Sequence, residues 1–357
     1  MSRVALLCRD SRGRVDAIGD ATACLAATLR HEGFVADVVL RDADGTWHTG
    51  DRRWVGLLAA SGDYEALVLQ YNPFLYGRRG FAPWLVRDFL RLRARRRRPV
   101  LVLYVHEPAM PLIGLRKTLM GLWQRLQLRA LRFAADRIFV TTEAWTAELA
   151  SMHPRRRVSH LPVGSTLPDM RSARAEARAS LAVDPDELVV ATLSSGHESH
   201  LLEYVAAAVD RIAKRTPALL LLALGAGASE PPVNGVRVMR PGELPPGELA
   251  ALVAASDLFL VPLVDGASTR RTSMMTALQH GVAVIATDGP LTDSILRGGA
   301  VAFAPVGDIG AFADTAAGLA ADSARRIRLA AAGRELYRRS FDWPALARSM
   351  APALSRE

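Results

Sequence analysis

Short apolar runs alternate with amphipathic segments along almost the whole chain. In the first half the apolar runs are RVALLC, VADVVL, ALVLQY, VLVLYV and RIFVTT, and segments with helical spacing of apolar positions lie between them. The second half restarts the pattern with LVVATL, ALLLLAL, VRVM, LFLVPL, VAVIAT and AVAFAP. Regular alternation of strand and helix patterns predicts an α/β fold with parallel sheets and helices on both faces.

A segment with proline and glycine, HLPVGSTLPDM, separates the two series of strands. The chain has 357 residues, half of them apolar, so its length favours two domains with large cores. We expect two Rossmann-like doubly wound domains, over residues 1–166 and 167–335. Residues 336–357 should form a helical segment that crosses back to the first domain. Because open parallel sheets bind ligands at the carboxyl ends of their strands, the two domains would face each other across a cleft.

The net charge of +9 comes almost entirely from arginine, since Lys117 and Lys214 are the only lysines. Such an excess indicates an anionic partner, which could be a nucleic acid, a membrane surface or a phosphorylated small molecule. We do not expect a nucleic acid, because the basic residues are scattered and no recognised binding module occurs. The densest run, Arg91–Pro99, is either a solvated helix end, where cations are favourable, or a binding patch.

The sequence contains no apolar stretch of the roughly 18 residues that a membrane-spanning helix requires. Cys8 and Cys24 are the only cysteines, and two are too few for a disulfide framework. No spacing typical of metal ligands occurs either. We therefore expect a cytoplasmic protein without a structural metal.

Four further stretches form one ordered series along the chain. They are HEPAM with LRALRFAADRIFVTTEAWTAEL, SHLPVGSTL, LLLLALGAG with MRPGELPPGELAALVAASDLFLVPL, and TALQHGVAVIATD. The series covers nearly the whole chain and resembles the GT-B glycosyltransferases, in particular the retaining family-four or group 1 type. The resemblance implies that a sugar moves from a nucleotide diphosphate sugar to an acceptor hydroxyl with retention of configuration. It implies no metal cofactor, and an acceptor that is either a soluble metabolite or a lipid-linked glycan.

The donor site departs from the family pattern at two places. Two glutamates of the family's donor loop are replaced by Ser268 and Thr276 when the sequences are aligned on Gly281. The first strand of the second domain usually leads to Gly-Arg and a lysine, whereas here it leads to LSSGHESH. The chain is then a subgroup with a rebuilt donor site, or an inactive partner subunit. A nucleotide-sugar epimerase or hydrolase of the same fold is a further alternative.

Two adjacent arginines, Arg270 and Arg271, follow a predicted strand and precede a predicted helix. The diphosphate gains charge as the sugar leaves, and fixed cations with backbone N–H groups stabilise that charge. A helix N-terminus supplies such N–H groups, and Thr272 or Ser273 could cap this helix. Arg271 is thus expected to act in catalysis. The alternative is a surface loop with solvated arginines.

The other expected donor contacts lie in the same loop or at the ends of neighbouring strands. Asp265 and Ser268 would accept hydrogen bonds from sugar hydroxyls, although Asp265 could instead simply terminate its strand. Small residues after the first strand of the second domain would let the backbone approach phosphate. The donor set is completed by Ser194, Ser195, Gly196, Arg240, Thr269 and Thr276.

The acceptor-side candidates lie in the first domain. His106, which ends the strand VLVLYV, is expected to contact the transferred sugar or the acceptor oxygen, unless it is a buried histidine with its hydrogen bonds satisfied. Glu107 follows it directly. Tyr71 begins an aromatic loop suited to sugar rings. Asp16 and Gly19 form an expected turn before a helix that would start at Asp20.

The predicted helix over 115–133 has leucines on one face and arginines on another. This pattern suits a helix lying on an anionic bilayer. It equally suits a helix whose leucines pack on the sheet while its arginines face water. We expect the second arrangement, with at most a salt-sensitive attachment to the inner membrane face.

Overall fold

The computed structural model describes residues 2–10, 16–50, 52–152, 158–184, 186–194, 197–216, 219–225, 233 and 236–355. The chain divides into two compact units. The first comprises Met1–Pro162 with Trp343–Glu357, and the second comprises Val163–Asp342. The boundaries expected from the sequence were residues 166 and 335. The last helix is part of the first unit.

The first unit contains an eight-stranded sheet with the order β4-β3-β2-β1-β5-β6-β7-β8. The strands pair in parallel, except that β3 is antiparallel to β2 and to β4. Their bounds are β1 Arg3–Arg9, β2 Val35–Arg41, β3 Thr46–Thr49, β4 Arg52–Val55, β5 Ala66–Tyr71, β6 Val100–Val105, β7 Arg137–Val140 and β8 Val158–His160.

Helices cover both faces of this sheet. One apolar cluster joins the sheet to the first and last helices of the unit, and a second cluster lies on the other face. The helices are α1 Ala17–His31, α2 Leu57–Ala60, α3 Pro83–Arg93, α4 Gly114–Ala134, α5 Glu143–Ser151 and, from the end of the chain, α12 Trp343–Met350. Helix α1 is followed by Gly33 in the left-handed conformation, with φ +90°.

The second unit contains a six-stranded, entirely parallel sheet with the order β11-β10-β9-β12-β13-β14. Apolar clusters again lie on both faces. The strands are β9 Leu188–Leu193, β10 Leu219–Leu224, β11 Arg237–Met239, β12 Leu258–Val261, β13 Ala283–Asp288 and β14 Ala302–Pro305. The helices are α6 Arg174–Ser180, α7 Leu202–Ala213, α8 Pro246–Ala255, α9 Thr272–Gln279, α10 Ile309–Ala321 and α11 Ser323–Ser340.

Every strand expected from the sequence is present, and the α/β fold class is confirmed. The hairpin of β3 and β4 and the short strand β8 were not expected. The hairpin is short and carries charged residues, which is typical of the edge of a sheet. Such strands lack the continuous apolar run that marks a strand buried on both faces.

Part of the arginine run after α3 has a structural role. Arg93 and Arg98 each place a guanidinium nitrogen 2.5 Å from the carboxylate of Asp136. Burial alone would raise the pKa of Asp136, but hydrogen bonds from Arg98 and the Leu101 N–H hold it below its usual value. These two arginines therefore brace the amino-terminal ends of β6 and β7. Arg96 and Arg97 between them are exposed.

None of the described helices is both long enough and apolar enough to cross a membrane.

Candidate functional site

The loop between β12 and α9, residues 262–271, is fastened to the end of β13 by Thr287. The Thr287 hydroxyl accepts a hydrogen bond from the Leu263 N–H at 2.8 Å and donates one to the Leu263 carbonyl at 2.7 Å. The Thr287 carbonyl accepts the Ala267 N–H. One buried threonine thus supplies the partner of the Leu263 N–H and a second donor to the Leu263 carbonyl, which also accepts the Gly266 N–H.

A buried carboxylate, Asp293, holds the same loop at Thr269, the residue directly before Arg270. The backbone N–H and the hydroxyl of Thr269 both donate to Asp293 Oδ2, each at 2.6 Å. Thr269 is fully buried. Its N–H and hydroxyl thus serve to position the loop, and its expected contact with the donor stays a prediction.

Two glycines allow the loop to lie directly against the segment after β13. Gly266 has φ +82°, and a Cβ on it would lie 2.4 Å from the Gly289 nitrogen and 2.3 Å from the Thr292 hydroxyl. A side chain at this position would push the two segments apart.

Helix α9 begins without a side-chain cap among the described residues. Arg271 occupies the N-cap position, and Thr272 and Ser273 lie inside the first turn. The expectation that Thr272 or Ser273 caps this helix is therefore wrong. The first backbone N–H groups of a helix have no partner within the helix, so this N-terminus can accept an anion.

Each arginine of the loop has a neighbour that can ionise, a carboxylate for Arg270 and an imidazole for Arg271. A guanidinium nitrogen of Arg270 lies 3.6 Å from the carboxylate of Asp265. Asp265 therefore has an ion-pair partner and does more than terminate its strand. Burial, and next the charge of Arg271, lower the pKa of His200 to about 4. His200 is therefore neutral near pH 7 and lies close to Arg271.

The segment after β9 joins the loop directly. His200 pairs with Leu263 in an isolated bridge, and the Val264 N–H donates to the Ser199 carbonyl at 3.0 Å. The segment that replaces the family's Gly-Arg and lysine thus runs beside the arginines. His197, by contrast, is exposed and bonds only locally, to Ser199.

The remaining donor candidates are distributed unevenly. Ser194 is buried at the end of β9 and donates its N–H to the Leu224 carbonyl. Gly225 approaches the backbone of Ser194 so closely that a Cβ on Gly225 would lie 2.4 Å from the Ser194 carbonyl oxygen. Arg240 is exposed after β11. Ser195 and Gly196 lie outside the described residues.

The two residues that stand in for the family glutamates are both buried. The Thr276 hydroxyl donates to the Thr272 carbonyl and lies 3.0 Å from the Ser165 hydroxyl. Its side chain faces the interior of the second unit, and its expected contact with the donor stays a prediction. Ser268 is also buried, and its hydroxyl has no hydrogen-bond partner among the described residues.

In the first unit, His106 lies at the carboxyl end of β6 and is buried. Its Nε2 is 2.7 Å from Gln70 Oε1. Since that oxygen only accepts, Nε2 carries the proton, and Nδ1 makes no hydrogen bond to the described residues. Burial lowers the pKa of His106 from 6.5 to about 3, so the imidazole is neutral and offers Nδ1 as an acceptor.

Tyr71, expected to contact the acceptor, is fully buried. Its hydroxyl lies 3.4 Å from the Gln127 side chain, and burial raises its pKa to about 12. The ring belongs to the core, and its expected contact with the acceptor stays a prediction. Glu107, the other candidate at this edge, accepts a hydrogen bond from Asn72 at 3.1 Å.

Asp16 and Gly19, expected to form a turn before the first helix, belong to the start of that helix. Helix α1 begins at Ala17, with Asp16 as the N-cap accepting the Ile18 N–H at 3.1 Å. Gly19 lies in the first turn, where a Cβ would come 2.8 Å from the Asp16 carboxylate. Both residues therefore shape this helix start at the carboxyl edge of the first sheet.

Three side chains that suit a metal meet at this edge of the first sheet. Asp10, Asp42 and His48 bring one ligand atom each within 4.8 Å of one another. Asp42 already lies 3.5 Å from His48 and 3.8 Å from Arg53, so its charge is balanced by protein groups. The sequence spacing had not indicated this cluster.

Comparison with known proteins gives one family and one fold. Residues 186–322 match the family model described as glycosyl transferases group 1. The structure is similar to sucrose-phosphate synthase from Thermosynechococcus elongatus, with a TM-score of 0.68 and 18% identity over 99% of this chain and 98% of that chain. No curated protein matches the sequence.

Two further solved structures have the same architecture. HepE of Anabaena, in complex with UDP-glucose, has a TM-score of 0.66 and 12% identity, with 99% of both chains covered. WaaG, a glycosyltransferase involved in lipopolysaccharide biosynthesis, has a TM-score of 0.64 and 14% identity over 99% of this chain and 100% of that chain. At such identities these structures establish the fold. The family match, which covers residues 186–322, supports a glycosyltransferase.

Sequence reasoning missed the residues that hold the site together. Thr287 and Asp293 fasten the loop, and Gln70 sets the tautomer of His106. Each is an ordinary polar residue at or after the end of a strand, and no local spacing distinguishes it.

The Thr287→Val variant should loosen the loop at residues 262–271. It leaves the Leu263 N–H without its partner and removes one of the two donors to the Leu263 carbonyl, which keeps the Gly266 N–H. The expected cost is about 1–3 kcal/mol. Hydrogen exchange followed by mass spectrometry should show faster exchange in this loop. Thr192→Val is the matched control, since Thr192 is buried and makes one hydrogen bond, to the Leu260 carbonyl. Equal exchange of the loop in both variants would contradict the fastening role.

His106 should make folding stability depend on pH. The folded pKa is about 3 against 6.5 in the unfolded chain, so between these values the unfolded state binds the extra proton. Stability is therefore lost as pH falls through this window. The melting temperature of the protein should fall more steeply than that of His106→Gln between pH 6.5 and pH 3. His31→Gln, which alters an exposed histidine, should follow the parent curve, and parallel curves for all three would refute the assignment.

Proposed function

We propose that this glycosyltransferase moves a sugar from a nucleotide diphosphate sugar to an acceptor hydroxyl, with retention of anomeric configuration and without a metal. The observation that carries the proposal is the fastened loop of the second unit. Arg270 and Arg271 lie there beside an uncapped helix N-terminus, at the carboxyl edge of a parallel sheet. That edge is where open α/β sheets bind ligands.

The loop offers what a departing diphosphate requires. Planar guanidinium groups match pairs of phosphate oxygens, and the α9 N-terminus adds backbone donors and a partial positive charge. Groups fixed in advance stabilise developing charge without reorganising during the reaction. Fastening by Thr287 and Asp293 supports this role, because it fixes the loop before any donor binds.

His106 is proposed to act on the acceptor side. Its neutral imidazole can accept a hydrogen bond at Nδ1 from a hydroxyl of the transferred sugar or of the acceptor. With Nε2 committed to Gln70, the ring is held in one orientation. The departing phosphate would take the acceptor proton, as is thought for retaining enzymes of this fold. Buried Ser268 and Thr276 supply no carboxylate to act as a nucleophile.

A donor screen tests the function directly. UDP sugars come first, because HepE was solved with UDP-glucose. Release of nucleoside diphosphate that depends on an acceptor, with a glycosylated product by mass spectrometry, would support transfer. Binding of donor without any product would favour a catalytically inactive relative. Acceptor-independent conversion of the donor would indicate an epimerase or hydrolase instead.

Arg271→Ala should weaken nucleoside diphosphate binding and lower turnover on the order of 100-fold, because a contact that strengthens as the leaving group gains charge is lost. Arg270→Ala should have the same or a smaller effect, since Arg270 also pairs with Asp265. Isothermal titration and initial rates measure the two effects. Arg328→Ala, at an exposed arginine of α11, is the control. Full activity in both loop variants would rule out this loop as the diphosphate site.

His106→Ala should separate turnover from donor affinity. We expect donor affinity to stay near the parent value, because His106 belongs to the other sheet. Turnover should fall by about tenfold or more, the loss expected for a buried hydrogen bond. The measurement pairs nucleotide titration with rates at saturating donor, and His31→Ala is the control. A folded variant that lost nucleotide affinity alone would move His106 to the donor site.

A further inference from the structure

Helix α4 turns its apolar stripe outward. Leu115, Leu119, Leu122 and Leu126 are 78%, 63%, 52% and 60% exposed. We had expected these leucines to pack on the first sheet, and that expectation is wrong. A row of exposed leucines along one helix is unusual for a free surface and marks a site of interaction.

Two buried glutamines fix the helix in this orientation. Gln124 accepts the Met110 N–H at 2.8 Å and donates to the Arg79 carbonyl at 3.2 Å. Gln127 accepts the Ala82 N–H at 2.9 Å. These bonds hold the loops after β5 and β6, so rotating the helix to bury its leucines would leave several buried polar groups unsatisfied.

The outward face extends beyond the four leucines. Phe133 continues it toward the end of the helix, and Leu112 and Ile113 precede the helix with exposed side chains. Phe81 is half exposed, and the centroid of its ring lies 4.5 Å from that of the Trp123 ring. Together these residues form one apolar strip, which we call the α4 strip.

Cations flank the α4 strip, and α4 itself contains no acidic residue. Its basic residues are Arg116, Lys117, Arg125, Arg129 and Arg132. Arg116 and Arg129 are exposed and form no ion pair with the described residues. Arg125 is exposed too, and bonds only backbone carbonyls. The charges of Arg116 and Arg129 are thus available to an anionic partner, whereas Arg132 is buried.

A cavity of about 750 Å³ lies beside the start of the strip. Aromatic rings and cations line it together, including Phe74, Phe81, Trp123, Arg79, Arg116 and Lys117. Such a lining suits a group with an anionic head and an apolar chain. Trp side chains are also enriched at the level of lipid headgroups.

We propose that the α4 strip docks the first unit on an anionic lipid bilayer, with the leucines entering the acyl region and Arg116 and Arg129 meeting phosphate headgroups. An interfacial helix combines this apolar face with flanking basic residues. The charge favours a bilayer over a second copy of the chain, because two strips facing each other would bring like charges together. The proposal goes beyond glycosyl transfer and needs no donor or acceptor.

The test is co-sedimentation of the full chain with vesicles of phosphatidylcholine alone, or of phosphatidylcholine with phosphatidylglycerol. We expect binding to the mixed vesicles that weakens, but does not disappear, in high salt. Leu119→Gln with Leu122→Gln should reduce binding on the order of tenfold or more. Arg116→Gln with Arg129→Gln should reduce it by about fivefold per charge.

Matched variants separate the strip from general effects. Ile327→Gln and Arg328→Gln alter exposed residues of α11 and should bind vesicles like the parent protein. All the substituted side chains are exposed, and melting curves verify that each variant is folded. Vesicle binding that is absent in the parent, or unchanged in the strip variants, would overturn the proposal. So would a parent dimer, seen by light scattering, that the leucine variants convert to monomers.

Discussion

Buried polar side chains hold the loops that leave the carboxyl edges of both sheets. A parallel sheet satisfies the backbone of its strands, but each loop beyond it must find other partners or remain in water. In the second unit Thr287 and Asp293 supply these partners. In the first unit Gln124 and Gln127 supply them. Each buried group costs free energy unless it is fully bonded, so each fixes one arrangement of its loop.

The same constraint has a different consequence in each unit. In the second unit it places two arginines next to an uncapped helix, where an anion can bind. In the first unit it sets the rotation of α4, because the glutamines must point inward to reach the loops. The leucines on the opposite side of α4 are then exposed. The α4 strip is therefore exposed because of the way in which Gln124 and Gln127 hold the loops after β5 and β6.

The sequence predicted the parts of the fold that depend on periodicity. Buried parallel strands with continuous apolar runs could all be located, while the short strand β8 and the polar edge hairpin of β3 and β4 could not. Arg270 and Arg271 were singled out because they stand where a strand gives way to a helix. The burial of Thr269 and Thr276 could not be predicted because sequence position gives no side-chain direction. The outward orientation of the α4 leucines was missed because their spacing along the sequence is the same whether they face the sheet or the solvent.

The charges of the candidate site are nearly independent of pH around neutrality. Burial lowers the pKa of both His106 and His200, so both imidazoles stay neutral and act as hydrogen-bonding groups. The positive charge comes from arginine, which remains protonated in proteins, and from the dipole of α9, which does not titrate. In the proposed function, anion binding and hydroxyl recognition thus fall to different groups. Buried Ser268 and Thr276, which stand where the family has glutamates, fit this proposal, since neither adds a negative charge to the second unit near Arg270 and Arg271.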